Sequence, residues 1–199
     1  MSTLKLVVLG STRGTNMQAI IDAINSSEID ASIEMVISNR KEAFILQRAE
    51  DNNLAHKFIS AKDKTREQYD EQLISEINSY NPDLILLIGF MRILSEKFTN
   101  EFSGKILNVH PSLLPKHSGL MDLSVHQAVL DAGDMESGCT IHQVNEKVDD
   151  GKIELQLKCS VKKNDTAESL KQKVQTLESK AWVEVIKKHY HTSKSDSLS

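Results

Sequence analysis

With 199 residues, 39% of them hydrophobic and 26% charged, the chain has the composition of one ordinary globular domain with a normal core, which excludes intrinsic disorder as the default. Its 24 Lys and Arg against 28 Asp and Glu leave a net charge of −4, and no stretch is basic enough to follow a phosphate backbone, so a dedicated nucleic-acid binder is disfavoured. Cys139 and Cys159 form neither a C-x-x-C pair nor a disulfide framework, and a reducing, cytoplasmic setting fits them best.

Leu4 to Leu9 is a β-branched apolar run closed by Gly10, the pattern of a strand buried on both faces. It is too short for a signal-peptide core, and nothing in the chain approaches the ~20 apolar residues of a membrane span. From Asn16 the residues Met17, Ile20, Ile21 and Ile24 recur at helical spacing, so Ser11 to Thr15 is a strand-to-helix turn. Ser32 to Ile37 reads as a strand, Lys41 to Asn52 as a helix, His56 to Ile59 as a strand and Thr65 to Asn78 as a helix. After Pro82, Leu84 to Ile88 is the most hydrophobic run and a central strand. Lys105 to Val109 makes another strand, and His110 to Met121, with two of the three prolines, is an ordered irregular loop. A helix over Ser124 to Ala132, strands over Cys139 to Val144 and Ile153 to Val161, and a long helix from Asp165 to His189 complete the series. The segment from Lys187 loses its apolar face after Tyr190, so a domain over residues 1–190 is expected, followed by a frayed tail over 191–199.

Strands alternating with helices predict an α/β fold, a three-layer, doubly wound, mostly parallel sheet. In such sheets ligands sit beyond the carboxyl ends of the strands. The loops that qualify are Ser11 to Thr15, Phe90 to Ser95, His110 to Met121 and Glu146 to Lys152.

Gly10-Ser-Thr-Arg-Gly-Thr-Asn16 precedes a helix whose free N–H groups attract anions, so a phosphate can lie there; equally, Thr15 or Asn16 can simply cap the helix. Asn108-Val-His110 ends a strand with both polar side chains on one face, presenting an amide and a titratable imidazole to a ligand, unless His110 is only a structural histidine before a proline turn. Asp149, before Asp150-Gly151, can bring a carboxylate to the same edge or belong to a plain turn. His142, inside an apolar strand, reads as a packing residue or a support to the site rather than a ligand. Neither His117, His189 nor His191 shows zinc-helix spacing, and no metal is expected. No G-x-S-x-G elbow supports a serine hydrolase, and Cys139 reads as a buried small hydrophobe.

Gly89-Phe-Met-Arg-Ile-Leu94 followed by Leu107-Asn-Val-His-Pro-Ser-Leu-Leu-Pro115 closely resembles the phosphoribosylglycinamide formyltransferase family of folate-dependent enzymes. The resemblance extends through Gly14-Thr-Asn16 and Gln18, Gly138-Cys-Thr-Ile-His142, Val148-Asp149 and Gln175 to Glu178, nearly the whole chain. It implies a Rossmann-like formyltransferase fold and transfer of a formyl group from 10-formyltetrahydrofolate, as co-substrate, to the amine of glycinamide ribonucleotide in purine synthesis. By matching motif it implies catalysis by Asn108, His110 and Asp149. Gly14, Thr15 and Asn16 would hold the 5′-phosphate, and Glu178 the ribose hydroxyls. Met91, Arg92 and Leu94 would line the folate pocket, and Arg66 would meet the folate's glutamate tail. Its partners are then small-molecule substrates, not nucleic acid or membrane, for a monomer or homodimer. The added domains of methionyl-tRNA formyltransferase and formyltetrahydrofolate deformylase are not expected in 199 residues.

Two stretches depart from the family pattern. Lys116-His-Ser-Gly-Leu-Met121, continuing to His126, stands where the family has Pro-Gly-Leu-His, and Ser11-Thr12-Arg13 stands where Ser-Gly-Asn is common. Two other readings remain at this level: formyl transfer to a different amine, such as an amino sugar nucleotide, and a dinucleotide-binding module using Gly10 to Asn16. The second lacks the acidic residue expected after the second strand, where Ser38-Asn-Arg40 stands.

Overall fold

The computed structural model describes residues 3–196. Its strands are β1 (Leu4–Leu9), β2 (Ala31–Ser38), β3 (His56–Phe58), β4 (Leu84–Leu87), β5 (Ile106–His110), β6 (Glu136–Gln143) and β7 (Ile153–Ser160). Its helices are α1 (Thr15–Asn25), α2 (Phe44–Asp51), α3 (Arg66–Asn78), α4 (Glu96–Glu101), α5 (Leu123–Asp131) and α6 (Ala167–Asp196). The strands form one sheet in the order β3-β2-β1-β4-β5-β6-β7, parallel from β3 to β5 and antiparallel at β6 and β7.

Strand alternation divides the core into two layers. Leu6, Val8, Leu84, Leu86 and Leu107 face α1, α2, α5 and α6, whereas Val7, Leu9, Ile85, Leu87 and Ile106 face α3 and α4. The central strands are therefore apolar on both sides, as the unbroken hydrophobic runs predict. After β1 the chain winds outward through β2 and β3, then returns to β4 on the other side of β1. This reversal puts the topological switch point, where ligands sit in such sheets, at the carboxyl ends of β1 and β4.

Three helices and one strand differ from the sequence reading. Six-residue α4 has no counterpart there because it is too short to display a period; Ser95 caps it, the hydroxyl accepting the Phe98 N–H at 3.3 Å. Helix α2 begins at Phe44 rather than Lys41, since Ala43 is extended and acts as its N-cap. Strand β6 starts three residues early, at Glu136, where it pairs with Ser160 across the sheet. Helix α6 runs past His189 to Asp196, into the stretch expected to fray. Ahead of that stretch, Lys187 lies 2.7 Å from Glu28, Lys188 lies 3.0 Å from Glu154, and the Tyr190 hydroxyl donates to Asp30. The last three residues of the expected tail lie outside the described residues.

Candidate active site

The β1–α1 turn is built around Gly14, the N-cap of α1, at φ 67°. A Cβ there would lie 2.6 Å from Ile45 Cγ1, so glycine meets both the backbone requirement and the close approach of α2. No side chain caps α1 and no acidic residue stands in its first turn. Its first N–H groups thus have no side-chain acceptor, and the helix-cap alternative for Thr15 and Asn16 does not hold. The Asn16 amide is used elsewhere: Nδ2 donates to Glu178 Oε2 at 2.8 Å, and Oδ1 accepts from the Ser179 hydroxyl at 2.9 Å, both on α6. Glu178 is half-buried, and desolvation of its carboxyl raises it above the usual range, although Asn16, His110 and Lys171 act in the opposite direction.

Asn108 and His110 end β5 on one face, and β6 brings His142 directly opposite Asn108. Burial lowers the His142 imidazole below its ordinary value, and its Nδ1–H donates to the Gln143 carbonyl at 2.9 Å. The neutral Nε2 then accepts the Asn108 Nδ2–H at 3.2 Å. On the far side, Asp149 Oδ2 lies 3.1 Å from His110 Nδ1 and Oδ1 lies 3.5 Å from His142 Nε2. Asp149 Oδ2 also accepts the Gly119 N–H at 2.9 Å. Burial pushes the Asp149 carboxyl up, but the His110 ring, the Gly119 amide and His142 outweigh it, leaving the group below the usual carboxylate range. Asp149 is therefore ionised at neutral pH. The second nitrogen of His110, Nε2, donates to the His117 carbonyl at 3.0 Å. Both partners of the imidazole are acceptors, a set that a ring with protons on both nitrogens satisfies.

The β4–α4 loop lies at the switch point. The Ser11 hydroxyl donates to Asn39 Oδ1 at 2.6 Å and accepts the Met91 N–H at 2.8 Å, tying this loop to the β1–α1 turn. Met91 is exposed at 41%, whereas Leu94 packs into the core beneath α4. The Arg92 guanidinium lies over the Tyr69 ring at 4.7 Å. Arg66, the first residue of α3, lies 3.3 Å from Glu67, and its field, like that of Arg92, reaches the buried Asp70, which accepts the Ser95 N–H at 2.5 Å.

The formyl transferase family model matches residues 4–186. The chain belongs to the formyl transferase family. Among its relatives, the Escherichia coli phosphoribosylglycinamide formyltransferase is 43% identical over 88% of this chain and 82% of that protein. The Haemophilus influenzae phosphoribosylglycinamide formyltransferase is 42% identical over 92% of this chain and 85% of that protein. The solved phosphoribosylglycinamide formyltransferase of Coxiella burnetii superposes with a TM-score of 0.88 at 39% identity, covering 94% of this chain and 86% of that one.

In this formyl transferase the structure gathers Asn108, His110 and Asp149 into one cluster, and Gly14, Thr15, Asn16 and Glu178 into a second. The two adjoin, His110 being near enough to Glu178 for a charge on the ring to lower that carboxyl. Met91, Arg92 and Arg66 line the neighbouring loop and helix start. Sequence reasoning did not find the direct contact of His142 with Asn108, nor the part of His117. The Asn108 partner follows from the antiparallel register of β5 and β6. His117 acts through its backbone carbonyl, which carries no residue-type signal. Among the described residues, no group of three His, Cys, Asp or Glu is arranged to hold a metal ion, and no helix is long and apolar enough to cross a membrane.

Proposed function

We propose that this formyl transferase moves the formyl group of 10-formyltetrahydrofolate to the amine of 5-phosphoribosylglycinamide, giving formylglycinamide ribonucleotide and tetrahydrofolate. The observation that carries this reading is the placement of Glu178. It accepts from Asn16 beside the uncapped start of α1 and lies within the field of His110, so a phosphate-and-ribose end and a reacting end share one cleft.

The 5′-phosphate sits on the free N–H groups around Gly14, Thr15 and Asn16, where the helix dipole favours an anion. Glu178 accepts from the ribose hydroxyls. The folate lies along the loop holding Met91, Arg92 and Leu94, with Arg66 toward its glutamate tail. As the amine attacks the formyl carbon, the carbonyl oxygen becomes an oxyanion and the nitrogen becomes cationic. The second Asn108 N–H donates to that oxygen, and the His110 ring, protonated between Asp149 and the His117 carbonyl, stabilises the developing charge beside it. The ionised Asp149 takes up the amine proton. The bond from the formyl carbon to the folate nitrogen then breaks, and the proton passes to that nitrogen.

Absorbance of 10-formyltetrahydrofolate or its dideaza analogue, followed with and without the ribonucleotide, tests the reading. Formyl loss that requires the ribonucleotide and disappears in Asp149→Ala supports it. Ribonucleotide-independent loss makes the protein a hydrolase, and no loss with either moves the search to another amine.

A further inference from the structure

His110 is held on two sides, and only one belongs to the chemistry just described. Its Nδ1 side meets Asp149, and through Asp149 and His142 reaches Asn108. Its Nε2 side donates to the His117 carbonyl at 3.0 Å, in the loop that departs from the family pattern. An imidazole carries its two nitrogens on different edges, so a carbonyl held at Nε2 fixes the rotation that points Nδ1 at Asp149.

That carbonyl is itself held in place. His117 adopts φ 58°, a left-handed conformation that is uncommon for a residue with a Cβ. Its side chain reaches out of the loop, and Nε2 lies 2.8 Å from Asp134 Oδ2, with both side chains 15% exposed. The other carboxylate oxygen of Asp134 lies 2.6 Å from the Lys116 ammonium, which is 65% exposed. The preceding carbonyl, of Lys116, accepts the Ser112 hydroxyl at 2.6 Å, so the two consecutive peptide groups are set against the end of β5. Asp134 stands in the turn between α5 and β6, where its N–H donates to the Val129 carbonyl at 3.2 Å, and that turn belongs to the scaffold rather than to the loop.

We infer that Asp134 is a positioning residue of the transfer reaction: by gripping the His117 side chain it fixes the His117 carbonyl against His110 Nε2, and so turns Nδ1 toward Asp149. The inference rests on the role given to His110 under the proposed function. The half-buried His117 contact carries the effect. The Lys116 contact, open to solvent, adds little.

The test compares Asp134→Ala, His117→Asn, their double variant and Lys116→Ala. Asn enters the left-handed region readily and is too short to reach Asp134, so His117→Asn keeps the loop backbone while removing the grip. Two readouts are taken: kcat and both KM values for formyl transfer, and the ring-nitrogen resonances of His110 in the ligand-free, 15N-histidine-labelled protein. Asp134→Ala and His117→Asn are each expected to lower kcat about tenfold with both KM values changed less than about twofold, and to shift the His110 Nε2 resonance. The double variant matches the single ones, and Lys116→Ala stays within about twofold of wild type. A kcat within about twofold in both single variants, or a lowered kcat with unmoved His110 resonances, overturns the inference. Should the wild-type protein fail to formylate the ribonucleotide, the proposed function falls, and the resonances still decide whether Asp134 orients His110.

Discussion

Asn108 and His142 are register partners on antiparallel strands, and the amide Nδ2 of the first donates to the imidazole Nε2 of the second at 3.2 Å. The contact leaves one N–H of Asn108 free and fixes its direction. Removing one oxyanion donor typically costs 10²–10³ in turnover, about 2.7–4 kcal/mol, and Asn108→Ala is expected in that range. His142→Ala removes the orienting acceptor, worth about 1 kcal/mol, together with a neighbour 3.5 Å from Asp149, and is expected to lower kcat by about fivefold to tenfold. Steady-state kinetics of both variants with KM held separate checks the ranking, and equal losses would contradict it.

Glu178 is half-buried, and its carboxyl is raised above the usual range mainly by desolvation. A group raised in this way favours the protonated folded state, so its contribution to stability is present at low pH and is lost as pH rises through its folded value. Glu178→Gln removes the charge and keeps an oxygen for the Asn16 Nδ2 donor. The variant is expected to melt at a higher temperature than wild type at pH 8 and to show a smaller advantage at pH near 4, roughly the ordinary carboxylate value. Because a charged acceptor binds a hydroxyl more strongly, its KM for the ribonucleotide rises about tenfold. Melting curves at the two pH values and a ribonucleotide titration test both halves.

Asp149 behaves with the opposite sign. Burial would raise its carboxyl, yet His110, the Gly119 N–H and His142 hold it below the usual range. Its stabilising contribution is therefore present above the ordinary carboxylate value and lost as pH falls through the lowered folded value. Asp149→Asn is expected to melt below wild type at pH 7 and to converge with it between about pH 5 and pH 2. Thermal melts across that range read the convergence, and a constant gap would show that Asp149 does not hold its charge through His110.

Gly14 stands at φ 67°, and an added Cβ would lie 2.6 Å from Ile45 Cγ1 and 3.2 Å from Ile45 Cα. A left-handed alanine costs about 1–2 kcal/mol and overpacking about 1–3 kcal/mol, so Gly14→Ala is expected to lose roughly 2–5 kcal/mol of stability. Urea unfolding measures the loss. A change below about 0.5 kcal/mol would mean that α2 moves aside freely.

The strands were legible in the sequence because apolar runs with no polar face can only be buried on both sides, as Leu6 to Leu9 and Leu84 to Leu87 are. The pairing of Asn108 and His110 on one face was legible for the same local reason, strand alternation. Local patterns fail where an element is shorter than its period, as in α4. Residue types alone pointed to an amide, an imidazole and a carboxylate at one sheet edge. Only the tertiary structure decided what each of them touches. His142 reaches Asn108 through an antiparallel register, Asp149 reaches His110 from a separate turn, and Asp134 meets the His117 side chain 17 residues back along the chain. Such contacts depend on the crossing of distant segments and on backbone groups that every residue carries, so composition and spacing leave no mark of them.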